Sequence, residues 1–175
     1  IGYVGITTIA HPIAAGAGYL VYHGTTPSTT PAYTFTTAGP TNKFGTALPV
    51  TYAASSPPLL DDDGWNLVGN PYPSAIDWDA PGWTKSNLNN AIYIWNPNAS
   101  NYAEYVGGFG NNGGSKEIAS SQAFWVKATA NPPALTVTEP VKTAVEPTYF
   151  KQSSNITNVF RMRIEGGGYV DGTVI

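Results

Sequence analysis

A chain of 175 residues and 18.5 kDa can bury one sizeable β-rich core or two small sandwich layers. Charged residues make up 11%, against roughly 25% in ordinary globular domains, and the eight Lys and Arg are scattered within a net charge of −3, so no basic cluster exists to hold a nucleic-acid backbone. The absence of Cys removes disulfides and thiolate metal sites and leaves the compartment open. No apolar run is long enough for a membrane-spanning helix, and with neither an initiator Met nor a leader-like segment the chain is expected to be a fragment of a larger protein. Gly, Pro, Thr, Asn and aromatic residues abound while helical periodicity is short-lived, so strands joined by tight turns are expected, with little helix.

In chain order, residues 18–23 (GYLVYH) read as a buried strand, and residues 32–37 (AYTFTT) as a half-buried one in which Tyr33 and Phe35 alternate with Thr34 and Thr36. Residues 48–53 form a weaker strand between Pro-containing turns, at an edge or in a long loop. Residues 65–68 (WNLV) make a short strand that Asn70-Pro71 stops. Ser74 is placed to cap one helical turn over 74–78, turning Ile76 and Trp78 inward, with Tyr72, Trp78 and Trp83 plugging one end of the core. Residues 91–95 (AIYIW) and 101–106 (NYAEYV) form a hairpin, and 107–114 a Gly/Asn loop. Strands follow at 123–128, 134–138, 159–165 and 169–175. The fold expected is all-β: a β-sandwich of many short antiparallel strands, jelly-roll-like or built of two related sub-domains. An echo between 18–21 with 33–36 and 123–126 with 135–138 motivates the second option, with halves 1–60 and 61–175 inside a single domain 1–175, although two four-residue matches also arise by chance.

The run GWNLVGNPYPSAIDW at 64–78 resembles a hallmark of surface and secreted proteins of bacteria that use type IX secretion. The resemblance continues through AIYIWNP at 91–97, IASSQAFWV at 118–126, and Phe160 to Ile164 with Tyr169-Val170-Asp171, and it spans most of residues 16–175. It implies a secreted, cell-surface location and a stalk-like β domain preceding a C-terminal sorting domain. It brings no catalytic residues with it. One departure is Ala123, where relatives often carry Gly after the Gln, which puts the backbone approach at that point in doubt.

Several groups invite chemistry, each beside a plainer reading. Asp61, Asp62 and Asp63 offer the oxygens that Ca²⁺ favours, but consecutive side chains diverge and a solvated turn is the expected role. Asp77 and Asp79 resemble an acid and base pair for glycoside hydrolysis, whereas their spacing favours capping of a turn. His11 and His23 lack any nucleophile-elbow sequence. The glycines of 107–114 lack the Lys-Ser/Thr that follows a phosphate loop. Five Trp and eleven Tyr exceed what a small core needs as its minimum, so sugar-stacking platforms compete with core packing. Trp65, Trp95 and Trp125, inside strand runs, are expected in the core, and Trp83 with Tyr102 and Tyr105 as an exposed aromatic patch.

The function these readings favour is a non-catalytic, extracellular structural or adhesive module without a cofactor. Its expected partners are neighbouring surface-protein domains or further copies of itself, the latter docking by strand addition at 48–53 or at a terminus. The alternative is a carbohydrate-binding accessory module of a secreted hydrolase, with glycans as partner.

Overall fold

The alternation of apolar and polar side chains becomes thirteen strands and one 3-10 turn in a computed structural model that describes residues 5–6, 11–21, 38–55, 62–145, 147, 149–150, 161–166 and 169–174. The strands are β1 (Thr46–Ala47), β2 (Trp65–Gly69), β3 (Ala75–Asp77), β4 (Trp83–Ser86), β5 (Ala91–Asn96), β6 (Asn101–Val106), β7 (Phe109–Asn111), β8 (Glu117–Ile118), β9 (Ala123–Lys127), β10 (Ala134–Val137), β11 (Lys142–Thr143), β12 (Arg161–Gly166) and β13 (Tyr169–Val174), with the 3-10 turn at Glu139–Val141. Every strand pairing is antiparallel.

One five-stranded sheet runs in the order β2-β9-β5-β6-β7, and two three-stranded sheets run β1-β10-β4 and β11-β3-β8. β12 and β13 form a hairpin of their own. Because side chains alternate across a strand, the five-stranded sheet turns Val68, Phe124, Val126, Ile92, Ile94, Ala103 and Tyr105 to one face, all buried. Ile76 of β3, Ile118 of β8, and Leu135 and Val137 of β10 come from the smaller sheets and join them in a single core with Trp78 and Val141. The architecture is all-β and sandwich-like, with one layer a broad sheet and the other built from two short ones.

The loop from β2 to β3 is fastened from inside. Pro71 and Pro73 have no N–H, and the buried Asn70 amide supplies donors there: its Nδ2 lies 2.8 Å from the Ser74 carbonyl and 3.0 Å from that of Ala119, while its Oδ1 accepts the Tyr72 N–H at 2.9 Å. Tyr72 is buried in the core, and its hydroxyl sits 3.0 Å from the Phe44 carbonyl and 3.3 Å from that of Val137. At the start of β2, Gly64 holds φ +81°, and a Cβ there would collide with the Ala128 carbonyl oxygen.

Several expectations change. Residues 75–77 form a strand rather than a helical turn: Ile76 points inward from the middle of β3, Trp78 is buried from the turn that follows it, and the Ser74 hydroxyl caps nothing and has no hydrogen-bond partner. The reason is tertiary, since β3 is paired on both sides, by β11 and β8. Residues 107–114 are a turn plus the edge strand β7, not only a loop. In residues 18–21 no strand forms, and Leu20 and Val21 are exposed. Around 48–53 the strand lies slightly earlier, as the edge strand β1, and the stretch itself is a loop in which Leu48 N–H donates to the Leu135 carbonyl at 2.8 Å and the Asn66 side chain holds both the N–H and the carbonyl of Thr51. Residues 22–23, the strand expected at 32–37, and with it half of the echo, lie outside the described residues.

Asn70→Ala should lower unfolding free energy by about 3 kcal/mol, because it orphans buried carbonyls, and Tyr72→Phe by about 1 kcal/mol. Urea unfolding of both variants measures the difference, and equal effects would contradict the role given to the amide.

Candidate functional site

Aromatic residues of the five-stranded sheet that are absent from its core stand on the opposite face. On β2, Trp65 and Leu67 pair with Lys127 and Trp125 of β9; Trp125 pairs onward with Tyr93 of β5; Tyr93 pairs with Glu104 of β6, and Trp95 with Tyr102. Cross-strand partners share a face, so these residues form one aromatic surface. Trp65 is 38% exposed and Trp95 49%. The rings pair edge-on, Trp65 to Tyr93 at 5.1 Å and Trp95 to Tyr102 at 5.3 Å, which fixes their orientation. Between them lies a groove of about 460 Å³ lined by Trp65, Tyr93, Tyr102, Glu104 and Trp125. The Lys127 ammonium stands 5.3 Å from the Trp65 ring.

The tryptophans divide: the inward placement expected of Trp78 holds, and the core placement expected of Trp65, Trp95 and Trp125 does not. Trp65, Trp95 and Trp125 belong to strands but face outward, whereas the loop residue Trp78 is fully buried, edge-on to Trp83 at 4.9 Å and to Phe124 at 6.0 Å. The patch expected from Trp83, Tyr102 and Tyr105 does not assemble. Tyr102 and Tyr105 are three apart on one strand and so point to opposite faces; Tyr105 is only 7% exposed and Tyr102 36%. Trp83 packs against the core, and its indole N–H donates to the Asp77 carbonyl at 2.8 Å. Of that trio only Tyr102 lies on the aromatic face. Parity along each strand could have separated the two tyrosines; strand register, which one sequence does not print, was needed to gather the rest.

A second cluster lies by β3 and β4. Asp77 accepts an ion pair from Lys116 at 2.7 Å, Asp79 accepts the Tyr105 hydroxyl, and the Lys85 ammonium donates to the Trp78 carbonyl at 2.8 Å and to Asn90 Oδ1 at 3.0 Å. Lys85 also lies 3.6 Å from the Trp78 ring centroid. Burial pulls the Lys85 ammonium down to about 8, against the opposing pull of Asp79 and Asp77. The bond to Asp79, then burial and nearby negative charge, push the Tyr105 hydroxyl up to about 12. Asp77 and Asp79 thus hold Lys116 and Tyr105 in place, as turn-capping carboxylates do, and Asp77 Oδ1 also accepts the Asp79 N–H.

Of the aspartates considered for Ca²⁺, Asp61 lies outside the described residues, Asp62 is exposed, and Asp63 is buried with its carboxylate accepting Ser55 N–H at 2.9 Å. Asp63 and Asp62 therefore diverge. His11 is exposed, and His23 lies outside the described residues.

The fold and its outer face define an all-β, sandwich-like domain with an aromatic groove on its broad sheet. The chain belongs to the family described as Domain of unknown function (DUF8693), whose model matches residues 3–164. No curated protein and no solved structure matches it.

A lysine held below its unfolded pKa makes folding more favourable as pH rises, because between about 8 and 10.5 the unfolded chain binds the extra proton. The parent should therefore gain stability relative to Lys85→Met from pH 8 to 10, by about 1 kcal/mol after solvent screening of a half-exposed group. Urea unfolding at pH 7.5, 9 and 10 checks the slope; a difference that stays flat or falls contradicts the burial of the ammonium.

Proposed function

We propose that this domain is a non-catalytic, extracellular adhesive module of a bacterial surface protein, and that it adheres through the outer aromatic face of its five-stranded sheet. The observation that carries the reading is the placement of Trp65, Trp95 and Tyr102, all exposed, on that one face, Trp65 against Tyr93 and Trp95 against Tyr102, in a domain whose opposite face already has a packed core. Clustered exposed aromatic surface marks interaction sites on soluble domains, and Trp and Tyr dominate the energetics of such contacts. The resemblance of residues 64–78 to proteins exported by type IX secretion supports the extracellular setting. The acidic and basic groups by β3 and β4 engage one another across strands, which supports a scaffolding role for them over a catalytic one.

The test uses fluorescently labelled domain added to intact cells and biofilm of the producing bacterium. Trp65→Ser/Trp125→Ser should retain its thermal midpoint within a few degrees and lose at least tenfold of the retained label. Equal retention by the parent and the double variant sinks the adhesive assignment of this face. So does failure of protease added to intact cells to cleave the native protein, since the reading requires surface display.

A further inference from the structure

We infer that the groove on the outer face binds a glycan, stacking the apolar C–H face of a pyranose ring on Trp125 and Tyr93 while its hydroxyls bond to Glu104 and Lys127. The inference rests on the reading of this face as the adhesive surface and names what it adheres to. Its first support is shape. At about 460 Å³, with aromatic residues on its floor and sides, the groove falls in the roughly 300–1,000 Å³ range of sites that enclose small ligands. A flat protein-docking face offers no such concavity.

The second support is charge. Glu104 lines the groove half-buried, and among the described residues no hydrogen bond engages its carboxylate. Lys127, on the paired side of β2 and β9, brings an ammonium over Trp65. These two charges of opposite sign select against simple partners. A lipid chain or an apolar peptide would desolvate both groups without replacing their hydrogen bonds. A quaternary ammonium suits aromatic faces and a carboxylate but meets the Lys127 charge, and an anion meets Glu104. A neutral polyol resolves the conflict, because each hydroxyl both donates and accepts: it donates to the carboxylate and accepts from the ammonium, while the C–H side of the ring covers the aromatics.

The geometry also distributes the roles. Trp125 is paired with Leu67 on one side and Tyr93 on the other, so it is central in the face and forms the stacking floor. Tyr93 and Glu104 are direct cross-strand partners, which sets an aromatic ring and a hydroxyl acceptor side by side on one row. Tyr102 closes the far side, its ring braced by Trp95.

Affinity gel electrophoresis of the whole domain through hydroxyethylcellulose, xylan, laminarin and α-mannan tests the inference, followed by calorimetry with a soluble oligosaccharide of the retarding polymer. At least one polymer should retard the parent. Trp125→Ala and Tyr102→Ala should each weaken binding at least tenfold, Glu104→Gln about fivefold, and Phe44→Ala, exposed but away from this face, should change nothing. Thermal midpoints separate lost binding from lost folding, and the isosteric Glu104→Gln change supplies a readout if Trp125→Ala unfolds. Retardation by none of the polymers, or retardation unchanged in Tyr102→Ala and Glu104→Gln, overturns the glycan assignment. Binding of phosphocholine instead, or a dimer by sedimentation that Tyr102→Ala dissociates, also overturns it, but leaves the adhesive reading of the face standing. Label retained equally on cells by parent and face variants overturns both.

Discussion

Asn70 carries into the interior one of the few polar side chains this domain buries, and both layers of the fold depend on what that amide does there. Three carbonyls, those of Ser74, Ala119 and Ile118, converge on its two N–H bonds, the last at 3.4 Å, and its oxygen fixes the N–H of Tyr72. An Asp at this place would offer no donor, and an apolar residue neither donor nor acceptor, so no other small side chain satisfies the loop. Through Tyr72 the effect reaches further. The phenol ring fills the space between the sheets, and its hydroxyl serves carbonyls of Phe44, which leads into β1, and of Val137 in β10. The prolines on either side of Tyr72 remove backbone donors and stiffen the loop, so its course is decided by the amide rather than by a turn ladder.

With the loop so fixed, Trp78 enters the core, and this determines which tryptophans remain for the surface. The interior accepts Trp78 whole and Trp83 in part, and the inner side of the five-stranded sheet supplies aliphatic side chains and Phe124 against them. A two-layer fold covers one face of each sheet. The aromatic residues at the alternate positions of β2, β5, β6 and β9 therefore stand on the uncovered side, held at defined angles by edge-on contacts. Exposing rings in this way forgoes roughly 25 cal/mol for each Å² that burial would have removed from water.

Much of this was legible from one sequence, and the failures have identifiable causes. The hairpin of β5 and β6 was evident because a six-residue β-branched and aromatic run, a turn at Asn96-Pro97, and a second alternating run agree with one another. β2, β9 and β10 followed from the same consistency. The helical turn at 74–78 was misread because Ser74 offers a cap locally, while the winning interaction is pairing with β11 and β8, both distant in sequence. Trp65, Trp95 and Trp125 were misassigned for a different reason: strand membership was taken as burial, when a strand alternates and one of its sides is free. Alternation along β6 separates Tyr102 from Tyr105, a parity that the expected patch overlooked although the strand itself was recognised. The neighbours of Tyr102 came only with register, which depends on all five strands together.

The distribution of charge separates what fastens this domain from what it presents. Charges are few, and most of those around β3 and β4 tie elements together: Lys116 before β8 to Asp77 of β3, Asp79 to Tyr105 of β6, Lys85 of β4 to the backbone of Trp78. Each spans two parts of the fold, and the low proton affinity of Lys85 follows from its burial. Glu104 and Lys127 differ in place, since both lie on the outer face of the five-stranded sheet beside its exposed rings. In the reading proposed for this face, the Glu104 carboxylate orients what arrives from outside and the rings beside it provide the contact area on which it rests.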